Sequence, residues 1–395
     1  MHCKVQAHGG ACCVLAWTLE ALRRDFDLTL LTQAPFDLAA LNRFFGTSLE
    51  PGDFRLRPIH PALRMFFGLD PDPGSIQQSC CLMRQAKRMR RDFDCVVATD
   101  NEADVGDPAI QYIHAPNLAH VYPKVLPSLE APLARKLAAF REGRFRPWMV
   151  VAGFSYARMK QNRTLVNSDW TGRWMRRVYG IDSKTLYPPA PGDFPDVAWE
   201  SRDDAFVAVG RLDPNKRLDW CIRVLASVRR LFPEIKLHII GGTSRFRDEA
   251  TYSKLLRRLI EANASWVTLH EDVSRVELQR LLAHAKYGIH AMVDEHFGIA
   301  VAEMVRAGCI PFVHDSGGAP EIVGYDSRLL YDSEDDAVAR IAAVLADPGG
   351  QAAIARSLSP RRRLFRPEVF MDGIRSEAAR MIGQSPSSPQ RGLLP

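Results

Sequence analysis

The chain has 395 residues, 46% hydrophobic and 25% charged, with a net charge of +6. That is long for one core, so two domains are expected, and the mix is that of a globular protein rather than a disordered or fibrous one. No apolar run approaches the ~20 residues that span a bilayer, the longest candidate being PWMVVAGFSYA. MHCKVQAHGG lacks the apolar core of a secretory signal, which points to the cytoplasm.

The charge is uneven. Residues 1–195 carry 25 Lys/Arg against 19 Asp/Glu, while residues 196–395 carry 27 against 27, so the excess lies in the N-terminal half. The eight cysteines include Cys12-Cys13 and Cys80-Cys81 but no C-x-x-C spacing, which favours buried thiols over zinc or a disulfide framework.

In chain order, KVQAH reads as a first strand leading through Gly9-Gly10 into the amphipathic helix CVLAWTLEALRR and the strand DLTLLT. That first strand is unusually short, as it would be if the start lay a few residues upstream. RQAKRMRR (84–91) has five cations and no acid. FDCVVATD and IQYIHAP are the next strands. Residues 135–163 hold eight cations and one Glu, interleaved with Phe140, Phe145, Trp148, Phe154 and Tyr156. TLVNSDW ends at Ser168-Asp169, a capping pair before the helix TGRWMRRVYG. These elements make residues 1–187 a Rossmann-like domain, and the Pro-rich stretch 188–196 a linker.

Residues 197–366 alternate strands with helices of 10–15 residues, the pattern of a parallel sheet covered on both faces. AFVAVG is followed by a helix from Lys216 to Leu231, KLHIIGG by a helix from Arg247 to Ala262, and WVTLHEDV by SRVELQRLLAHAKYG, with Ser274 as N-cap and Gly288 past the helix end. IHAM, a helix from Phe297 to Ala307, IPFVHD and RLLYD complete the domain. Residues 367–383 read as a helix crossing back to the first domain, and 384–395 as a disordered tail. The fold class is α/β, two doubly wound Rossmann-like domains facing a cleft, with ligands beyond the carboxyl ends of the strands.

Four features fall at strand ends. Gly9 and Gly10 suit either a tight turn or close approach of a phosphate to a helix N-terminus. Arg211 and Lys216 in GRLDPNKR suit a diphosphate, or are solvated surface charges. DEHFGIAVAE offers helix amides near Phe297 and Gly298, with Glu303 two turns in, where a carboxylate can accept from the hydroxyls of a ribose. Glu295 faces the cleft, or serves only the helix dipole. His114, in YIHAP, is a ligand-facing or a structural imidazole. G-x-G-x-x-G is absent and the second strand ends LLTQ without an acid, which counts against a dehydrogenase.

Together these residues resemble glycosyltransferase family 4, the retaining GT-B enzymes that use nucleotide sugars. The likeness rests on E-x7-E (Glu295 to Glu303) followed by HDSGGAPEIV, with GRLDPNKR, NSDWT and YPP in the same order. EHFGI, VHDSGG, YIHAP, NSDWT and YPP look most like the GDP-mannose-dependent α-1,2-mannosyltransferases of lipid-linked oligosaccharide assembly. The resemblance implies a hexosyltransferase moving mannose from GDP-mannose to a hydroxyl of a glycan or glycolipid. It implies His114, Arg211, Lys216 and Glu295 as catalytic, and Gly9, Gly10, Val273, His296, Phe297, Gly298, Ile299 and Glu303 as further donor-binding residues. No D-x-D-type pair is placed to carry a metal, so neither metal nor cofactor is expected, and the diphosphate charge would fall on Arg211, Lys216 and helix N-termini.

The competing readings are a hexosyltransferase using UDP-glucose or UDP-GlcNAc, and a non-catalytic nucleotide-sugar-binding scaffold on the same fold. A glycosidase needs two carboxylates flanking the bond, which Glu303 inside a helix cannot provide. Basic and aromatic residues of the N-terminal half suit an anionic membrane surface or a lipid-diphosphate acceptor, with a peripheral location at the inner membrane face, or are ordinary solvated helix faces. Nucleic acid is not expected as a partner, since no recognised binding module is present.

Overall fold

A computed structural model describes residues 1–67, 75–121, 143–242 and 247–383. The expected disordered tail, and the part of the basic segment 135–163 up to residue 142, lie outside these residues. The chain divides into two compact units: Met1–Asn167, Thr171–Tyr187 and Phe370–Pro395 form one, and Ser168–Trp170 with Pro188–Val369 the other.

The first unit runs α1 (Gly10–Leu22), β1 (Thr29–Thr32), α2 (Leu38–Phe45), β2 (Arg55–Pro58), α3 (Pro61–Phe67), α4 (Ser75–Met89), β3 (Val97–Ala98) and β4 (Ile110–Ile113). It continues with α5 (described over 143–151), α6 (Tyr156–Met159), β5 (Arg163–Val166), α7 (Asp169–Tyr179) and β6 (Lys184–Thr185). All strand pairs are parallel, in the ladders β1-β2 and β3-β4-β5-β6. The strand expected at KVQAH lies earlier. Met1–Cys3 joins the two ladders: His2 N donates to Leu31 O (3.0 Å), Gln33 N to Cys3 O (3.1 Å), Met1 N to Val97 O (2.7 Å) and Thr99 N to Met1 O (3.0 Å). Beyond Cys3 the backbone turns aside to Cys12, whose thiol donates to Lys4 O (3.4 Å) and accepts from Gln6 N (3.3 Å).

Lys87 of RQAKRMRR is no solvated cation. Its Nζ donates to Asp104 (2.9 Å), Ala152 O (3.0 Å) and Gly153 O (2.6 Å). Arg158 joins the same buried Asp104 carboxylate at 2.8 Å. No disulfide links the eight cysteines, seven of which are buried.

The second unit runs β7 (Asp203–Val209), α8 (Leu218–Val228), β8 (Lys236–Gly241), α9 (Arg247–Glu261), β9 (Val267–Glu271), α10 (Arg275–His284) and β10 (Ala285–His290). Then come α11 (Ile299–Ala307), β11 (Ile310–His314), α12 (Ala319–Ile322), β12 (Leu330–Tyr331), α13 (Glu334–Leu345), α14 (Pro348–Leu358) and α15 (Pro367–Met381). Its parallel sheet has the order β12-β11-β10-β7-β8-β9. Ala205, Phe206, Val207 and Ala208 of β7 are all buried, as a central strand covered on both faces requires. Strand order reverses between β7 and β10, and this switch point places the ligand crevice of such a sheet at their carboxyl ends.

Several expected boundaries move. Ser274 caps α10 by accepting from Glu277 N (3.2 Å), but Gly288 lies inside β10. A side chain there would meet Met304 Sδ of α11 at 2.5 Å, so the helix reaches the sheet only over a glycine. Lys216 lies in a 3-10 turn before α8, which starts after Arg217 in a left-handed conformation (φ 49°).

From Phe370 on, α15 belongs to the first unit. Its buried Glu377 meets Arg163 (2.8 Å) and Lys184 (2.9 Å) from β5 and β6. Burial opposes ionisation of this carboxyl, but the two cations prevail and hold it at about 2. Its contribution to stability is therefore present above the ordinary carboxylate pKa and lost as pH falls toward 2. Glu377→Gln should cost about 1–3 kcal/mol at pH 7, less than a fully buried pair because both cations reach solvent. In denaturant titrations the gap to the parent protein should narrow as pH drops below 4.5; a gap that stays constant would exclude the ion pair as its cause.

Candidate functional site

Both arms of the switch point carry charge. β7 ends at Val209, and the turn after Gly210 supplies Arg211, Asp213, Lys216 and Arg217. Asp213 shapes that turn, its carboxylate accepting from Asn215 N at 2.9 Å. β10 ends at His290, and the loop after it supplies Met292 and Glu295. The two arms meet: Lys216 Nζ lies 2.6 Å from Glu295 Oε2 and 3.3 Å from Met292 Sδ. His290, buried, places Nε2 3.3 Å from the same Oε2 without hydrogen-bond alignment. Burial opposes ionisation of Glu295, yet Lys216 holds its carboxyl well below the usual carboxylate range. Burial lowers the pKa of His290, so the imidazole is neutral near pH 7.

The loop carrying Glu295 is fixed by backbone packing. Gly317 is left-handed (φ +74°), and a Cβ there would sit 2.2 Å from Glu295 O; one on Gly318 would sit 2.3 Å from His296 O. Gly318 N donates to Glu295 O (2.7 Å), and Asp294 N to Ser316 Oγ (2.8 Å). The glycine pair after β11 thus lets two backbones touch. Ser168 Oγ donates to His296 O (2.6 Å), and the first amides of α7, Asp169 and Trp170, donate to the buried carboxylate of Glu321 (2.8 and 2.6 Å). Ser168 therefore secures the same loop.

Glu303 is buried on α11 and paired with Arg275 of α10 at 2.8 Å. Arg275 also donates to Pro191 O. Val273 packs on the apolar cluster of Leu278, Leu282 and Ala307. The helix expected to begin at Phe297 begins at Ile299, with Gly298 as left-handed N-cap (φ 102°). The Phe297 ring is buried against Phe365 (5.9 Å), so its residue is an anchor before the helix rather than its first turn. His296 sets its ring edge-on to Trp170 at 5.4 Å.

Gly9, Gly10 and His114 belong to the first unit. Gly9 is the N-cap of α1 (φ 86°), and Gly10 starts the helix. His114 follows β4; its amide donates to Asn101 Oδ1 (2.7 Å), and its Nε2 lies 3.1 Å from Thr99 O. Next to it, Glu102 accepts from Asn117 N, Leu118 N and Tyr179 Oη, and burial pushes its carboxyl up to about 7.

Several residues of this machinery carry no motif of their own. Arg217 places its guanidinium 5.2 Å from the Trp220 ring and 3.4 Å from Ala291 O. Its place beside Lys216 is the only sequence hint. Arg275 opens α10 next to the recognised N-cap Ser274, whereas His290 reads as one more residue of an apolar strand. Arg211 lies 3.1 Å from Asp213, so both cations of GRLDPNKR that suit a diphosphate or a solvated surface have acidic neighbours in the structure.

Residues 192–359 match the family model described as glycosyl transferases group 1. The chain is similar to curated proteins named GDP-Man:Man(3)GlcNAc(2)-PP-Dol alpha-1,2-mannosyltransferase. The protein from Homo sapiens is 32% identical over 200 residues, 46% of this chain and 40% of that protein. The Candida glabrata protein is 30% identical over 167 residues, 39% of this chain and 33% of that one. The match thus spans about a third to two fifths of these relatives' length. Among solved structures, the glycosyltransferase WaaG of lipopolysaccharide biosynthesis has a TM-score of 0.64 at 16% identity, covering 94% of this chain and 98% of that one. Sucrose-phosphate synthase from Thermosynechococcus elongatus has a TM-score of 0.67 at 14% identity, covering 97% and 98%. At such identities the likeness is one of fold, GT-B.

Gly317→Ala should lower stability by about 1–3 kcal/mol, from left-handed strain and the clash with Glu295 O. Gly349→Ala in α14, where the added methyl meets only Asp347 Oδ1 at 3.5 Å, should be neutral or stabilising. Equal denaturation midpoints for the two variants would contradict the packing of this loop.

Proposed function

We propose, for a chain whose residues 192–359 match the glycosyl transferases group 1 model, that it moves mannose from GDP-mannose to a hydroxyl of a glycan or lipid-linked acceptor, with retention at the sugar carbon. The observation that carries this reading is the Lys216–Glu295 pair at the β7–β10 switch point, flanked by Arg211 and Arg217. Nucleotide ligands of doubly wound sheets sit at that point. Cations there can neutralise a departing diphosphate, and the amides at the start of α11 add a helix-terminal anion site. Glu295 suits the hexose hydroxyls. Glu303, on the same helix as that anion site, suits the ribose. With fixed cations stabilising the leaving group, the reaction needs no metal or other cofactor. A donor phosphate oxygen would take the acceptor proton, and His114 is the residue of the first unit that the family resemblance assigns to the reacting centre.

A lipid-linked acceptor implies an encounter at a membrane face. No helix of the described residues is long and apolar enough to cross a membrane. Met65 and Phe66 of α3 and Val150 and Val151 of α5 are exposed, and Phe66 meets Trp148 of α5 at 5.9 Å. Arg64, Arg144 and Arg146 accompany them, with no acid in either helix as described. Exposed apolar groups among cations suit an anionic lipid surface.

In a thermal-shift panel GDP-mannose should raise the melting temperature more than UDP-glucose, UDP-GlcNAc or UDP-galactose; stabilisation by a UDP-sugar alone would overturn the donor assignment. Lys216→Ala and Glu295→Ala should each lower transfer at least about 100-fold, and full activity in both would reject the site. Binding to liposomes should rise with their anionic-lipid content and fall in Met65→Ser/Val150→Ser; binding indifferent to lipid charge would remove the membrane from this reading.

A further inference from the structure

We infer that His290 is a positioning residue of the donor site, the group that takes over the Glu295 carboxylate when Lys216 turns to a diphosphate. The inference rests on the reading of Lys216 and Glu295 given above.

Glu295 Oε2 has two neighbours, Lys216 Nζ at 2.6 Å and His290 Nε2 at 3.3 Å. Only the first is a hydrogen bond. The imidazole is 4% exposed, and among the described residues Nε2 has no hydrogen-bond partner. A buried ring nitrogen without a partner is costly unless another arrangement of the site uses it. Tyr331 Oη donates to His290 O at 2.7 Å, and its ring stacks on Trp220 at 5.0 Å, so the backbone of His290 is fixed.

Lys216 cannot serve phosphate oxygens and keep its full hold on Glu295. Were it to leave, the Glu295 side chain, 15% exposed, would be a carboxylate in a poorly hydrated place, and stranding such a charge is expensive. A modest rotation of Glu295 brings Oε2 into line with an Nε2–H. A neutral imidazole then supplies a donor without adding a positive charge to compete with Lys216 for the phosphate. Arg217 is held apart from this exchange by Trp220 and Ala291 O.

GDP is the probe, because it carries the diphosphate without the hexose. Isothermal titration of H290F, which fills the space without a donor, should show GDP binding weakened about tenfold, a loss of 1.4 kcal/mol. H290Q, which keeps a donor, should recover most of it. In an E295Q background, where no charge is stranded, H290F should change GDP binding less than about twofold. A merely structural role would cost the same in both backgrounds, and that equality would overturn the inference while leaving the donor site intact. If H290F does not fold, H290L takes its place in the same cycle. If the parent protein binds neither GDP nor UDP, nor their hexose derivatives, the functional reading fails and this inference with it.

Discussion

A half-buried carboxylate where strand order reverses needs a partner, and the 2.6 Å contact between Glu295 and Lys216 is the constraint around which the second unit is built. It joins the segments leaving β7 and β10, strands adjacent in the sheet but separated in sequence by β8, β9 and their helices. Removing either partner would leave the other's charge stranded. The glycines after β11 and the Ser168 hydroxyl hold the same loop, so the position of one carboxylate depends on segments far apart in the chain.

Buried acids recur as fasteners elsewhere. Asp104 gathers Lys87, Arg158 and the Ser155 amide, Glu102 accepts from two amides and a tyrosine, and Glu377 ties α15 to two strands. Each satisfies several donors at once, which a buried carboxylate needs if it is not to destabilise the fold. This explains why the cationic segments of the first unit are less available to a ligand than their composition suggests. Lys87, Arg158 and Arg163 are committed to internal acids, while the arginine and apolar surface of α3 and α5 faces outward.

The alternation of strands and helices was legible because parallel strands covered on both faces are short apolar runs, as in AFVAVG and KLHIIGG. Glu295, Lys216 and Ser274 were also legible, since loop and cap positions announce themselves by residue type. Boundaries failed where packing overrode local pattern. Gly288 looks like a helix stop but sits in β10 because Met304 needs the room. KVQAH has the alternation of a strand, yet pairing falls on Met1–Cys3 because Cys12 draws the following backbone away. His290, Arg275 and Arg217 were missed for a different reason, since each acquires its role only from a side chain far off in sequence.

The three pairings at the strand ends share a logic. Lys216 lies against Glu295, Arg211 against Asp213, and Arg275 against Glu303. Among the described residues Arg217 is the cation of this group without a carboxylate at ion-pair distance. A dianionic ligand would therefore exchange existing partners rather than meet bare charge. Exchange lowers the affinity a cationic crevice would otherwise have for any polyanion, because each new contact is offset by one given up. Selectivity then falls to ligands that satisfy the displaced carboxylates as well as the cations. On the proposed reading a nucleotide sugar would do both, offering phosphate oxygens to Lys216 and Arg211 and hydroxyls to Glu295 and Glu303, whereas inorganic phosphate would offer only the first. Under that proposal the two glutamates of DEHFGIAVAE would be the discriminating half of the site, and the cations the half that carries the leaving charge.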